Sequence, residues 1–238
     1  PKIDTLIFLV GLAHKKGKKK DMNRFRKVNF ETLENLLKGL TQFGIDPEKI
    51  IFSSTISVYG EKVDEEEYLE TSSLQPLSPY ARTKVEAENY LRNNYSGRCY
   101  ILRLAPVYSK TFLLNIHRRT KIFKILFRVG NGKYKLSLCN ILNINAVIEG
   151  ILSERVPSGT YNVSDKRVYD YNQLLKIQNA KKILVIPPIL LKMVYFFSIL
   201  TRNIFLKENS IKLITNNFYP SYKINKYVDL NNTLDEVN

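Results

Sequence analysis

The sequence predicts an α/β fold in which a mostly parallel sheet is covered by helices on both faces. Three short runs, "TLIFLV" at 5–10, "KIIFSS" at 49–54 and "CYILRL" at 99–104, have the length and nearly continuous apolar character of strands buried on both sides. Helix-length segments alternate with them, as in sheets built from strand–helix–strand units. With 238 residues, 44% of them hydrophobic, the chain has material for one ordinary domain, or one with a small appendage.

Taken in order, the first strand runs into a polar loop holding the cationic cluster "HKKGKKK" at 14–20, whose composition reads as a solvated loop. A helix is expected over about 22–43, with Phe25, Val28, Leu33, Leu36, Leu37 and Leu40 on its core side. The strand at 49–54 is followed by a long polar loop at 60–78 and a helix over 79–94. That helix has its start written into the sequence: Ser78 is a good N-cap, and Pro79 fits the first turn, where its missing N–H costs nothing. Beyond Pro106 the pattern loosens. It predicts a helix near 113–126, a Gly-Asn-Gly turn at 130–132, a strand near 136–141 and a helix near 143–153. A strand at 159–164, a helix at "YDYNQLLKIQ" and further helices with a polar tail complete the chain. The division expected is a first region over 1–108 and a smaller lobe over 109–238, interleaved with it, leaving a cleft suited to a ligand.

Lys and Arg number 37 against 22 Asp and Glu, a formal charge of +15 with an isoelectric point near 9.7. Such a balance favours polyanions, acidic membrane surfaces or phosphorylated small molecules. Cys99 and Cys139 lie in apolar runs without metal-ligand spacing or a disulfide framework, so both are expected buried. A reducing cytoplasm is the expected compartment, no signal peptide being visible. The most apolar stretch, 183–206, is interrupted by Pro187, Pro188, Lys192 and Arg202, and reads as a strand end followed by an amphipathic helix rather than a membrane span. Peripheral contact of its basic and aromatic side chains with a membrane is the minor reading.

Chemistry is suggested by "SPYARTK" at 78–84. Tyr80 and Lys84 fall at i and i+4 near a helix start and share one face. A cation near a phenol favours the phenolate and draws its pKa from about 10 toward neutrality, as a general base requires. The same residues also suit an ordinary helix terminus with a partly buried tyrosine.

Taken together, "IFSSTISVYG" at 51–60, "SPYARTKVEAENYLR" at 78–92 and "LRLAPVYS" at 102–109 resemble the extended short-chain dehydrogenase/reductases. The likeness is to NAD-dependent epimerases and dehydratases of nucleotide-diphosphate sugars, the UDP-glucose 4-epimerase type of surface-polysaccharide metabolism among them. "GLAH", "VNFETLENLL", "GTYNVSD" and "LITNNFYPS" extend it over nearly the whole chain. The resemblance implies a Rossmann-like sheet with a smaller C-terminal substrate lobe, NAD as cofactor, a nucleotide-diphosphate sugar as substrate and a homodimer. It assigns acid/base work to Tyr80, the nicotinamide ribose to Lys84 and a hydroxyl on the reacting sugar oxygen to Thr55. Gly11, Ala13 and Asn29 would line the cofactor, Pro106 and Val107 would pack near the nicotinamide, and Asn115 would reach the sugar nucleotide.

Nothing of the form G-x-x-G-x-x-G occurs in the sequence, although such a turn normally receives the pyrophosphate at a helix N-terminus. "LIFLVGLAH" resembles the family's fourth strand, which makes the fold N-terminally incomplete, and the basic residue expected at the substrate diphosphate is displaced to Lys135, with Leu136 in its place. The competing function is a non-catalytic basic protein of the same descent that binds RNA, a protein partner or a membrane surface. No RNA-binding module signature is present, and nucleic acid is not the expected partner.

Overall fold

The computed structural model describes residues 2–13 and 21–234, so the cluster at 14–20 and the last part of the polar tail lie outside the described residues. The main sheet is four-stranded and wholly parallel, in the order β1-β2-β3-β8, with β1 Thr5–Phe8, β2 Lys49–Thr55, β3 Cys99–Leu104 and β8 Gly159–Val163. Each of the three predicted strands of the first half is present. Apolar residues on both faces of the central strands explain their position. Ile50, Phe52, Cys99 and Ile101 enter one core with Phe30, Leu33, Leu37, Ala87 and Leu91, while Ile51, Tyr100 and Leu102 enter another with Val147, Ile151 and Tyr161.

The first face is covered by α1 Met22–Arg26, a π-helical turn at Lys27–Glu31, α2 Thr32–Gln42 and α3 Pro79–Asn94. The predicted helix over 22–43 is thus one helical run with a wide turn inside it. An added residue per turn rotates the apolar stripe. Phe25, Leu33 and Leu37 are buried as expected, but Val28 and Leu40 are only half-buried and Leu36 is exposed, because the wide turn brings Asn29 and Phe30 inward instead.

A third core gathers Tyr108, Ile116, Phe127, Val129, Leu138, Tyr169 and Leu174. Along the chain follow β4 Val107–Tyr108, α4 Leu114–Thr120, β5 Lys121–Ile122, β6 Ile125–Val129, β7 Cys139–Asn140, α5 Ile141–Leu152 and α6 Tyr171–Ile177; this core draws on β4, α4, β6 and α6, whereas Cys139 of β7 and Val147 and Ile151 of α5 pack with the main sheet. β9 Ile183–Ile186, α7 Pro188–Leu200 and α8 Ile204–Ile214 follow. β4 pairs with β7 in parallel, and β5-β6-β9 form a three-stranded sheet. The helix expected over 113–126 is shorter: it stops at Thr120 and the chain turns through Phe123, at φ 56°, so that Ile122 faces Ile125 across an antiparallel pair. "KIFKILFRV" has no helical period strong enough to hold against pairing, and its β-branched residues suit strands. The strand expected at 136–141 contracts to Cys139–Asn140, with Leu136 bridging to Tyr169 and Asn217. Over 183–206 a strand and a helix are present, but the helix is not amphipathic in the expected sense, since its outward side is apolar. Cys99 and Cys139 are free and buried.

Candidate active site

The carboxyl ends of β1, β2 and β3 lie side by side, and the residues singled out by sequence follow from each. Gly11 and Ala13 come after β1, Thr55 ends β2, and Pro106 and Val107 come after β3. In open α/β sheets this edge is where ligands bind. α3 brings its first turn to the same place: Ser78, buried and extended, accepts from the Ala81 N–H at 3.4 Å, Pro79 fills the first helical position, and Tyr80 and Lys84 project one turn apart.

The Tyr80 phenol lies beside the Thr55 hydroxyl. Burial pushes the phenol up from its ordinary value, while the Thr55 hydroxyl and the charge of Lys212 act against burial. The expectation of a phenol drawn toward neutrality by Lys84 is therefore not met in the protein alone. Lys84 is itself buried, donates to the Ser53 carbonyl at 2.7 Å and lies 4.5 Å from the centre of the Phe52 ring. Desolvation lowers its pKa to about 8, with Glu88 the opposing influence.

Asn29 is fully buried by the wide turn and ties three segments together. Its amide oxygen accepts from the Leu12 N–H at 2.6 Å, and its amide nitrogen donates to Thr83 on α3 at 3.0 Å. This fixes the loop after β1 against α3, and π-turns in helices recur at functional sites for such reasons. At Gly11 a Cβ would make ordinary contact with the Lys84 ammonium at 3.4 Å and the Asn29 oxygen at 3.7 Å, which places the loop after β1 directly beside both.

Not every expected residue joins this group. Asn115 donates to the Val107 carbonyl at 2.8 Å, which holds α4 to β4. Lys135 forms an exposed pair with Glu66 at 3.4 Å, and Leu136 is buried. Lys212 on α8 is the residue that sequence reasoning missed. Its buried ammonium lies 2.8 Å from Glu208, 3.3 Å from Glu61 and 3.5 Å from the Ser57 hydroxyl, beside Tyr80. Burial opposes its charge, but the two carboxylates outweigh burial and raise its pKa. The only local signal was the i,i+4 spacing of Glu208 and Lys212; Glu61 and Ser57 reach them through tertiary packing.

Residues 1–146, more than half of the chain, match the model of the NAD dependent epimerase/dehydratase family. The chain belongs to this family. An uncharacterised UDP-glucose epimerase of Bacillus subtilis is 36% identical over 83 residues, covering 34% of this chain and 25% of that protein. UDP-glucose 4-epimerase 3 of Oryza sativa is 41% identical over 58 residues, covering 24% and 15% respectively. A UDP-glucuronic acid 4-epimerase of Bacillus cereus, solved with NAD, superposes at a TM-score of 0.62 with 25% identity, covering 78% of this chain and 62% of that one. A second structure of that epimerase, with UDP-glucuronic acid and NAD, covers 98% of this chain and 71% of its own at a TM-score of 0.68 and 20% identity, which shows the Rossmann-like fold. The aligned stretches thus span a quarter or less of the curated relatives' length.

The group that this membership implies, NAD, would be met here by the Lys84 ammonium, the loop at Gly11 and the adjacent Thr55 and Tyr80 hydroxyls, donors and acceptors that suit a ribose. For the pyrophosphate the sequence supplies no glycine-rich turn.

Proposed function

We propose that the family's chemistry is carried out at this edge of the sheet: acid/base catalysis by Tyr80 on a nucleotide-diphosphate sugar, with NAD as the redox partner. The observation that supports it is the convergence of Thr55, Tyr80, Lys84, Asn29 and Gly11, drawn from four separate segments, at the carboxyl ends of parallel strands. Bound NAD supplies reversible hydride acceptance. The Tyr80 oxygen exchanges a proton with the sugar hydroxyl whose carbon is oxidised or reduced, and Thr55, whose hydroxyl lies beside the phenol, orients that sugar hydroxyl. With a pKa of about 8, Lys84 is mostly an ammonium at neutral pH and holds the cofactor's ribose by donation. Epimerisation, with the sugar re-reduced from its other face, is favoured by the resemblance to UDP-sugar 4-epimerases. Surface-polysaccharide metabolism and a cytoplasmic setting are the matching context.

NADH binding tests this reading, followed by the cofactor's own fluorescence since the chain has no Trp. The expected outcome is saturable binding that Lys84→Met weakens about tenfold or more and Tyr80→Phe changes little, as for loss of one charge-assisted hydrogen bond. Equal affinity in folded wild type and Lys84→Met would remove Lys84 from the cofactor site.

A further inference from the structure

α7 is turned inside out relative to an ordinary surface helix. Its small polar Ser198 is 1% exposed, whereas Leu200 is 82%, Phe196 63% and Met193 62% exposed. Ile189 and Phe197 project on that same outward side, and Phe205 of α8 is exposed beside them in the chain. The inward side is spent on Leu191 and Tyr195, which pack on the third core, that of Tyr108, Phe127 and Leu174. A surface helix normally directs its apolar stripe to the core, and apolar patches of this kind mark interaction sites.

The charge around the helix says what the patch fits. From 171 to 207 the sequence contains no carboxylate, while Lys181, Lys182, Lys192 and Arg202 are exposed on either side of and within α7, and Lys207 is half-buried on α8. None of these five cations makes a salt bridge among the described residues. The next acid, Glu208, is buried and paired with Lys212. Thirteen residues give α7 a length of about 20 Å, short of a bilayer's hydrocarbon core. No helix among the described residues is long and apolar enough to cross a membrane. An apolar, Phe-rich face fringed by cations without compensating acids is the pattern of a helix that lies in the headgroup region of an anionic bilayer. A second copy of the chain would bring one cationic fringe against another, at a cost that an anionic surface reverses.

We infer that α7 docks the protein peripherally onto anionic phospholipid, its aromatic and aliphatic face entering the interface and the flanking lysines and arginine meeting the headgroups. Co-sedimentation of the whole chain with vesicles tests this. Binding to phosphatidylcholine vesicles containing about 30% phosphatidylglycerol should exceed binding to pure phosphatidylcholine about tenfold or more, and should fall as salt shortens the screening length. Met193→Glu with Phe196→Glu, both at exposed positions, should reduce binding about tenfold or more with an unchanged far-ultraviolet dichroism spectrum. Lys181→Ala and Lys182→Ala should each reduce binding about fivefold on anionic vesicles and leave the weak binding to neutral ones unaltered. Absence of sedimentation with anionic vesicles, or equal binding by the glutamate variant, overturns the inference. So does a homodimer by analytical ultracentrifugation that the glutamate variant disrupts while vesicle binding persists.

Discussion

Lys84 carries the clearest consequence at the residue scale. Its folded pKa, about 8, lies below the ordinary lysine value of 10.5, so the unfolded chain binds the proton more tightly than the folded one. The cost of burying the charge is fully present below pH 8 and is relieved as pH rises, because only the folded state sheds the proton there. Stability should therefore gain about 2 kcal/mol from this group between about pH 8 and 10. Above that range buried tyrosines act in the opposite direction, Tyr59 for example being pushed up to about 12 by burial. Urea denaturation at stepped pH checks this. The difference between wild type and Lys84→Met should shift with that sign, and a parallel pair of curves would refute it. The pairing of Tyr80 with Lys84 was legible from spacing alone; the direction of the phenol's shift was not, since burial depends on segments distant in sequence.

At the scale of elements, the wide turn at Lys27–Glu31 joins fold to site. An unbroken α-helix over 22–43 would follow the apolar spacing read from sequence, and Leu36 would then share the buried side. Asn29, four residues after buried Phe25, faces inward at this turn, where it satisfies the Leu12 N–H and grips Thr83. Asn29→Ala leaves a backbone donor without its acceptor and should cost about 1–3 kcal/mol in urea unfolding. It should also weaken NADH binding, because the loop bearing Gly11 loses its tie to α3. An unchanged cofactor affinity in the folded variant would detach the turn from the site. Strands and helices of the first half were legible because each is long, apolar and punctuated by strong turn or cap residues. The short strands β5 and β6 were not, since runs of this length fit a helix or a strand until a partner strand decides.

For the whole molecule, a buried polar bridge fastens the first-face helices to the rest. Arg103 on β3 pairs with Glu88 on α3 at 2.8 Å, with side chains 3% and 0% exposed, and donates to the Tyr59 hydroxyl at 2.9 Å. Tyr59 in turn donates to Asn162 on β8 at 2.6 Å. Arg103→Met leaves the buried Glu88 carboxylate with only the Arg92 guanidinium, at 3.1 Å, and the Ser54 hydroxyl, and should cost about 1–3 kcal/mol, whereas Arg103→Met with Glu88→Leu should cost clearly less than the sum of the single changes. Strict additivity in denaturation would contradict a coupled bridge. This network was invisible in sequence, because nothing local relates positions 59, 88, 103 and 162.

The central claim, a Tyr80-dependent sugar-nucleotide epimerase, is tested most directly by incubating the purified chain with NAD and a panel of UDP-sugars. The products are then resolved by proton NMR, for wild type and Tyr80→Phe. The account predicts a C4 epimer with the wild type and a loss of about 10²–10⁴-fold in rate with Tyr80→Phe at unchanged NADH affinity. Epimer formation at the same rate by the Tyr80→Phe protein, or no turnover by a wild type that binds NADH, would contradict it.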